Sequence, residues 1–286
     1  MILPYNITGF GVDRYLYADD LALGFKSKDE GELKDNIDKA MNDVEDWCKV
    51  NLLCLNSDKT KDIKFSLFAD SSSQDNVSSM NFLGITLDSS LNWEDHVDKV
   101  AFKVNKGIFA IRRLRDGVNL DVLKQVYFAM IHSHLSYGTI LWAHSNESQR
   151  VFVLQKRAVR LICRLKLRDH CKASFKKLKI MTLPSIFIYQ CLLYIKENIS
   201  ILLTQTQRHN YNTRGKNNVV TTCCNYTKTQ QSFYYLAIKM FNALPLTFRQ
   251  LPLKIFKTEF KKKLIEKSIY STEEYFELSH EFFSLI

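Results

Sequence analysis

Apolar residues recur with two different periods along the chain, and the change of period divides it into a mixed part and a helical part. Within the first 92 residues, one stripe repeats at spacings of three and four and consists of Leu33, Ile37, Met41, Val44, Trp47 and Cys48. Side chains at these spacings share one face of a helix, so the stripe predicts an amphipathic helix over residues 29–53. Ser27, followed three residues later by Glu30, is the predicted N-cap.

Short apolar runs on either side of this helix predict strands. Residues 15–25 are expected to form a β-hairpin, because aromatic residues favour strands and Asp favours turns. Its strands are residues 15–17 and 21–23, and its turn is Asp19 and Asp20. Residues 63–68 and 82–87 are two further predicted strands, joined through a polar loop at 69–80.

From about residue 94 onward the apolar spacing is helical throughout. Three stripes predict three helices that each bury one face, namely Val97, Val100, Val104, Ile108, Ile111 and Leu114; Leu123, Val126, Tyr127, Met130 and Ile131; and Val151, Leu154, Ala158, Leu161, Ile162 and Leu165. Residues 183–203 predict a fourth helix, 205–232 a polar linker, and 233–267 a last helical segment broken near Pro245 and Pro252. The predicted fold class is therefore α+β, a hairpin, helix and strands followed by a mostly helical region with one basic outer face.

The composition is that of an ordinary globular protein, with 286 residues of which 46% are hydrophobic and 24% charged. No apolar run reaches the roughly 18 residues of a membrane helix, and the N-terminus lacks the pattern of a signal peptide, so we expect neither a membrane partner nor secretion. Seven irregularly spaced cysteines fit a reducing intracellular compartment, the nucleus or the cytoplasm. Cys163, His170 and Cys171 lack a second ligand pair, so no zinc site is predicted.

Charge is distributed unevenly along the chain. Residues 1–100 hold 10 Lys+Arg against 19 Asp+Glu, whereas residues 101–286 hold 30 against 11. Residues 150–179 carry eleven basic residues and a single acid, Asp169. A solvated helix face would explain such a run, but the scarcity of compensating acid favours contact with the phosphate backbone of nucleic acid. The nucleic-acid-binding candidates in this run are Lys156, Arg157, Arg160 and Arg164.

The neighbouring carboxylates of Asp19 and Asp20 stand between apolar runs, where their mutual repulsion is unfavourable. A pair of carboxylates on a hairpin is suited to divalent cations, because Mg²⁺ prefers hard oxygen ligands and binds through one or two carboxylates together with substrate phosphates. In nucleotidyl transfer one such ion activates the attacking 3′-hydroxyl and a second stabilises the leaving pyrophosphate. An exposed turn without a catalytic role is the alternative for so short a motif.

An ordered series of motifs resembles the reverse transcriptases of non-LTR retrotransposons of the jockey-like type. Tyr17-Ala18-Asp19-Asp20 resembles their Y/F-x-D-D motif, residues 53–60 (LCLNSDKT) their L-x-L-N-x-x-K-T element, and residues 82–84 (FLG) their primer grip. Residues 135–142 (LSYGTILW) and 154–162 (LQKRAVRLI) are similar to their thumb, and 211–214 (YNTR), 242–245 (NALP) and 256–264 (FKTEFKKKL) to their C-terminal tail. The resemblance covers nearly the whole chain in the expected order.

The resemblance implies a domain order and roles for individual residues. Residues 1–92 would be part of a polymerase palm, 93–203 a helical thumb-like region, and 204–286 a basic C-terminal extension. Asp19 and Asp20 would bind Mg²⁺ or Mn²⁺, and Lys59 would protonate the leaving pyrophosphate, unless it is a phosphate-facing or solvated surface lysine. The residues that would seat the primer strand, or else form an ordinary buried strand, are Phe82, Leu83 and Gly84.

The implied function is RNA-directed DNA polymerase, with an RNA template and a DNA primer or target as partners. In the family, another metal-binding aspartate and a fingers domain precede the Asp-Asp hairpin, whereas only 16 residues precede Tyr17 in this sequence. We therefore expect the C-terminal part of a polymerase, inactive as an isolated chain because it lacks substrate positioning. A non-catalytic nucleic-acid-binding remnant that uses the basic thumb and tail is the alternative.

Overall fold

The computed structural model describes residues 12–65, 79–208, 215–221 and 224–282. The chain divides into two compact units, Met1–Asp62 and Ile63–Ile286. The first unit is acidic, with 13 Asp+Glu against 8 Lys+Arg, and the second is basic, with 32 Lys+Arg against 17 Asp+Glu. The boundary at 62–63 assigns the FLG segment to the helical unit, whereas the sequence predicted a first domain that extends to residue 92.

The first unit begins with the predicted hairpin. Strands β1 (Asp13–Tyr17) and β2 (Asp20–Gly24) are antiparallel, and Tyr17 pairs with Asp20 at the end of the ladder. The turn is therefore Ala18 and Asp19, and the prediction of Asp19 and Asp20 as the turn is wrong by one residue. A two-residue turn between twisted strands needs a positive φ, which Ala18 adopts at 54°.

Helix α1 (Glu30–Val50) confirms the predicted amphipathic helix but not its N-cap. Asp29 is the cap, because its carboxylate accepts a hydrogen bond of 2.8 Å from the Gly31 amide. Ser27 supports the same turn from outside, where its hydroxyl donates to the Glu32 carboxylate at 2.7 Å. Both residues satisfy polar groups at the start of the helix, but only Asp29 reaches its first-turn amide.

A small cluster holds the first unit together. Val44 and Cys48 of α1 are buried, and Leu21 and Leu23 of β2 and Leu55 after the helix pack against them. The hairpin and the segment that follows α1 therefore share one apolar contact. Beyond it, residues 61–65 form neither helix nor strand, so the predicted strand at 63–68 is wrong over 63–65, and 66–68 lie outside the described residues. Apolar alternation indicates a two-faced extended segment, but it does not specify the ladder of backbone hydrogen bonds that defines a strand.

The second unit opens with another hairpin, formed by β3 (Ser79–Phe82) and β4 (Ile85–Asp88). Leu83 and Gly84 make its two-residue turn with φ values of 47° and 79°. Two consecutive positive φ values, with Gly second, are typical of the turns that join twisted antiparallel strands. The prediction of one continuous strand over 82–87 is therefore wrong, because the chain reverses in the middle of that apolar run. The polar loop predicted at 69–80 lies outside the described residues up to 78, and its last two residues begin β3.

Helices make up most of the remaining described chain and confirm the helical stripes. Their bounds are α2 Glu94–Leu114, α3 Leu120–Tyr127, α4 Ser133–Ser136, α5 Thr139–Trp142, α6 Ser148–Ile162, α7 Lys172–Leu178, α8 Leu183–Glu197, α9 Gln205–Arg208, α10 Thr227–Gln230, α11 Phe233–Asn242, α12 Leu246–Arg249, α13 Leu253–Lys267 and α14 Thr272–Phe282. A π-helical turn, Phe128–His132, continues α3 into α4. The predicted breaks near Pro245 and Pro252 are confirmed, since these prolines precede α12 and α13.

One hydrophobic core runs through the second unit from Ile85 to Tyr275. Helices α2 and α6 pack against each other, and α11 and α13 pack on α8, so the C-terminal helices share the core of the earlier ones. Gln155 is fully buried at its centre, where its amide nitrogen donates to the Tyr127 hydroxyl at 2.8 Å and to the Met181 carbonyl at 2.9 Å. Its amide oxygen accepts a hydrogen bond of 2.8 Å from the Leu183 amide. The bonds to Tyr127 and Leu183 join α6 to α3 and to the start of α8.

Among the described residues, no single helix has both the length and the apolar character needed to cross a membrane. Helices α7 and α8 satisfy those criteria only when taken together, across a bend of 58°.

Candidate functional site

The hairpin of the first unit presents the two candidate metal ligands at its tip. Asp19 lies in the turn and Asp20 begins β2, and both are exposed. Tyr15 and Tyr17 on β1 are also exposed, at 62% and 67%. Two adjacent carboxylates fit the donor chemistry of Mg²⁺, which uses one or two carboxylates and completes its shell with waters and phosphates. Over the described ranges, no group of three or more His, Cys, Asp or Glu side chains comes together.

Lys59 lies in a turn that the same apolar cluster anchors. The Asn56 side chain accepts a hydrogen bond of 3.2 Å from the Lys59 amide, and the Asn56 carbonyl accepts from the Thr60 hydroxyl at 3.0 Å. Leu55, directly before this turn, packs in the cluster that also holds Leu21, directly after Asp20. The structure thus attaches the Asp-Asp turn and the Lys59 turn to one small core, with the Lys59 side chain exposed.

The three predicted primer-seating residues lie at the β3–β4 turn of the second unit. Phe82 and Leu83 are half-buried and Gly84 is exposed, so they form a surface turn and not an ordinary buried strand. The Tyr137 hydroxyl donates a hydrogen bond to the Leu83 carbonyl, which ties the turn to the thumb-like helices. A Cβ added to Gly84 would lie 3.6 Å from the Tyr137 ring.

An open cleft of about 220 Å³ lies beside this turn. Its lining includes Gly84, His96, Lys103, His134 and Tyr137. The His96 ring is buried, with Nδ1 accepting a hydrogen bond of 3.3 Å from the Thr86 amide. Burial, together with the nearby charges of Lys103 and Lys99, lowers the pKa of His96 to about 4. The imidazole is therefore neutral at pH 7, and the cleft carries its positive charge on Lys103.

Asp88 fixes the connection from this hairpin into α2. Its carboxylate accepts hydrogen bonds from the amides of Ser90, Asn92 and Trp93 at 3.1, 2.9 and 2.8 Å. Burial acts to raise the pKa of Asp88, but these hydrogen bonds prevail and lower it below its ordinary value. The loop can therefore place Leu91 and Trp93 at positive φ, and Trp93 enters the core directly before α2.

The basic face of α6 is partly occupied by contacts within the protein. The Lys156 ammonium lies 4.5 Å from the centre of the Phe152 ring, and burial lowers its pKa. The Arg160 guanidinium donates to the Asp169 carbonyl at 2.8 Å, and Arg164 donates to the Arg115 carbonyl at 3.1 Å. Arg157 is half-buried on the same helix. Three of the four candidates therefore help to hold α6 and the segment after it in place.

Sequence reasoning missed a second basic surface, on the outer face of α2. Phe102 and Phe109 are 62% and 57% exposed, although both are large and apolar. The Lys106 ammonium lies 4.5 Å from the centre of the Phe102 ring, and the Arg113 guanidinium carbon lies 5.2 Å from that of Phe109. The sequence pattern that could have indicated this surface is the seven-residue spacing of Phe102 and Phe109, which places both residues opposite the core stripe of α2.

Two cysteines of the second unit, Cys171 and Cys163, lie within the packed helices. The Cys171 thiol is buried and lies 3.5 Å from the Tyr270 hydroxyl, while Cys163 is half-buried at the end of α6.

One motif of the predicted C-terminal tail makes contacts within the fold. Asn242, in the NALP segment, exchanges two hydrogen bonds of 2.9 Å with the backbone of Val219. The YNTR segment at 211–214 lies outside the described residues.

Comparison with known proteins points to one class of relative. A Drosophila melanogaster protein, "Probable RNA-directed DNA polymerase from transposon BS", is 28% identical over 161 residues, which cover 51% of this chain. The chain spans 18% of the length of that curated relative. No family model matches the sequence, and no solved structure matches it. The match shows that the chain is related to a transposon-encoded RNA-directed DNA polymerase, that is, to the reverse transcriptases.

Proposed function

We propose that the chain is the palm-and-thumb part of a jockey-like non-LTR retrotransposon reverse transcriptase, which synthesises DNA on an RNA template. The exposed Asp19–Asp20 hairpin tip carries the proposal, because it presents two hard-oxygen ligands in a chain related to an RNA-directed DNA polymerase. The ordered motifs from YADD to the C-terminal tail support the same assignment. In this proposal the first unit belongs to the palm, and the helices from α2 to α8 form the thumb.

Each candidate residue has a separate task in this proposal. Asp19 and Asp20 would hold Mg²⁺ or Mn²⁺, which supplies charge stabilisation and a more nucleophilic 3′-hydroxyl when bound. Lys59, on the turn anchored by Leu55, would give a proton to the leaving pyrophosphate. The surface turn of Leu83 and Gly84, beside the cleft that contains Lys103, would hold the primer backbone.

We further propose that these 286 residues need additional polymerase segments for activity. The basis is the family resemblance, in which a further metal-binding carboxylate and the fingers stand upstream of the Asp-Asp hairpin. Positioning of substrate supplies a large share of the acceleration in phosphoryl transfer, so the isolated chain is expected to extend a primer poorly or not at all.

A primer-extension assay tests the polymerase proposal. The chain is assayed alone and fused behind the fingers and upstream palm of a jockey-like reverse transcriptase, with an RNA template, a DNA primer and Mg²⁺ or Mn²⁺. We expect the fusion to incorporate nucleotides and Asp19→Asn or Asp20→Asn to reduce incorporation about 100-fold or more, since each removes a metal ligand. Asp13→Asn, at the far end of the same hairpin, is the matched control and should change incorporation less than about twofold. Incorporation unaffected by Asp19→Asn and Asp20→Asn would refute the proposed metal site.

A second proposal is favoured by the charge of the second unit, which holds 32 Lys+Arg against 17 Asp+Glu. In it, the chain binds nucleic acid without catalysis, through phosphate contacts of the basic thumb and tail. Filter binding of RNA and DNA over a range of salt concentrations tests it, and affinity should fall linearly on logarithmic axes. Binding that does not change with salt would contradict it.

A further inference from the structure

The outer face of α2 carries an alternating row of rings and cations, which we call the α2 stripe. Its members are Phe102, Lys106, Phe109 and Arg113, at successive spacings of four, three and four residues. At 100° per residue these positions fall within about 60° of one another, so they form one stripe along the helix. The core stripe of the same helix, which includes Val104 and Ile111, lies on the opposite side.

Each ring of the α2 stripe is paired with the next cation along the helix. Lys106 lies over Phe102 and Arg113 lies over Phe109, at 4.5 and 5.2 Å. A cation above a ring face is favourable, and the two rings remain 62% and 57% exposed beside their cations. The two rings are separated by about 10.5 Å along the axis, so they can meet different nucleotides of one strand.

The charge around the stripe selects the kind of partner. From residue 99 to 114 the helix contains no acid and five basic residues, namely Lys99, Lys103, Lys106, Arg112 and Arg113. A protein or membrane surface that covered Phe102 and Phe109 would need to neutralise these charges. A single strand of nucleic acid does so with its phosphates while its bases stack on the rings, because every base has a flat apolar face.

We propose that the α2 stripe is a stacking platform for a single-stranded segment of nucleic acid. This inference rests on the nucleic-acid binding that the proposed function requires, and it adds a surface and a mode of contact. Bases stack on Phe102 and Phe109, and Lys106 and Arg113 face the adjacent phosphates. The platform accepts RNA or DNA of any sequence, because stacking reads no base edges.

Binding of labelled strands to the full chain tests the platform. Fluorescence anisotropy is measured with single-stranded RNA and DNA of about 16 nucleotides, the upper end of known single-strand site sizes, and with a blunt duplex. The double variant Phe102→Ala/Phe109→Ala should weaken single-strand binding about tenfold or more and duplex binding less than about twofold. Tyr226→Ala removes a 64% exposed aromatic residue elsewhere in the second unit and should leave both affinities unchanged.

Two further sets of variants separate stacking from other uses of the surface. Phe102→Trp should retain single-strand binding and Phe102→Leu should weaken it, though less than the double variant does, because only a flat ring stacks on a base. Lys106→Gln/Arg113→Gln should reduce the slope of affinity against salt by about 1.4, or about 0.7 for each lost phosphate contact, while the Phe variants leave that slope unchanged. Full single-strand affinity in Phe102→Leu would mean that no base stacks on this ring, and would overturn the platform.

The results also distinguish this inference from the proposed function. If the chain binds single strands and the Phe102→Ala/Phe109→Ala variant binds them equally well, the platform is refuted and the polymerase proposal stands. If the chain binds no nucleic acid of any kind, both the binding proposal and the platform fail. Because the assay contains no metal or nucleotide, an inactive polymerase does not affect its result. Circular dichroism confirms that each exposed-site variant is folded.

Discussion

Helices α2 and α6 pack against each other, and both are basic on the outside, but their basic side chains make different contacts. On α6, Arg160 donates to the Asp169 carbonyl, and directly after the helix Arg164 donates to the Arg115 carbonyl, so these guanidinium groups hold neighbouring segments in place. On α2, Lys106 and Arg113 contact rings that are themselves exposed. Charge density along a sequence therefore locates basic helices, but only packing shows which cations remain available to a partner.

The largest expected effect concerns the inner face of α6, where Gln155 makes three buried hydrogen bonds. Gln155→Ala leaves the Met181 carbonyl, the Leu183 amide and the Tyr127 hydroxyl without that partner. We expect a loss of about 3 kcal/mol or more in the free energy of unfolding, measured by urea denaturation. Val153→Ala, on the exposed side of the same helix, is the control and should cost less than about 1 kcal/mol. If Gln155→Ala left the free energy of unfolding nearly unchanged, the buried hydrogen bonds of α6 would not stabilise the fold.

The second effect concerns pH and the inner face of α2, where buried His96 is neutral. Its pKa is about 4 in the folded protein against 6.5 unfolded, so between these values the unfolded state binds more protons. Stability is therefore complete above pH 6.5 and falls as pH drops towards 4. We expect His96 to contribute on the order of 2 kcal/mol to the change between pH 7 and 4.5.

Denaturation of the wild type and His96→Gln at both pH values isolates this contribution. The variant removes only the share of His96, whereas half-buried His132 and His144, whose pKa values are also lowered by burial, titrate in both proteins. An equal pH dependence in the two proteins would show that His96 is not held neutral by its surroundings.

The third effect compares two adjacent residues of α2, namely Gly107, which is buried, and Lys106, which is exposed. A Cβ on Gly107 would lie 2.6 Å from Cγ1 of Ile131, so the π-helical turn approaches α2 at this glycine. Gly→Ala in a helix normally stabilises by up to about 1 kcal/mol, but overpacking of a close contact costs about 1–3 kcal/mol and prevails here. Gly107→Ala should therefore lower the melting temperature, whereas Lys106→Ala on the α2 stripe should leave it nearly unchanged. A raised melting temperature in Gly107→Ala would mean that the two segments separate easily.

Much of the fold could be predicted because a helix with one buried face has apolar residues at spacings of three and four in the sequence. The core stripe of α2 is buried at every predicted position except Leu114, and the breaks before α12 and α13 follow from two prolines. The turn at Leu83 and Gly84 could not be predicted in this way. Its apolar residues look like strand, and the Tyr137 hydroxyl that binds the Leu83 carbonyl stands 54 residues away.

The candidate site also has one part that a local sequence pattern predicts and another that depends on contacts with distant residues. The Asp-Asp hairpin is a local motif of two adjacent acids between aromatic and apolar strand residues, so the sequence places it within one residue. The use of Arg160 and Arg164 depends on carbonyl groups at Asp169 and Arg115, one of which is 49 residues distant. The position of Phe102 and Phe109 opposite the core stripe indicates an outer face, but their exposure of 62% and 57% also requires that no other described element covers that face.

The smallest expected effect compares one arginine from each helix directly. Arg160→Gln removes the donor to the Asp169 carbonyl and should cost about 1 kcal/mol in the free energy of unfolding, since it breaks a charge-assisted hydrogen bond at a half-buried position. Arg113→Gln removes an exposed cation and should change stability by no more than about 0.5 kcal/mol. The order should reverse for binding, where Arg113→Gln lowers the salt dependence of single-strand affinity by about 0.7 and Arg160→Gln lowers it less. Urea denaturation and salt titrations on the same two proteins measure both quantities. If Arg160→Gln reduced the salt dependence as much as Arg113→Gln did, its contact with Asp169 would not keep it from the phosphates, and the distinction between the two helices would fail.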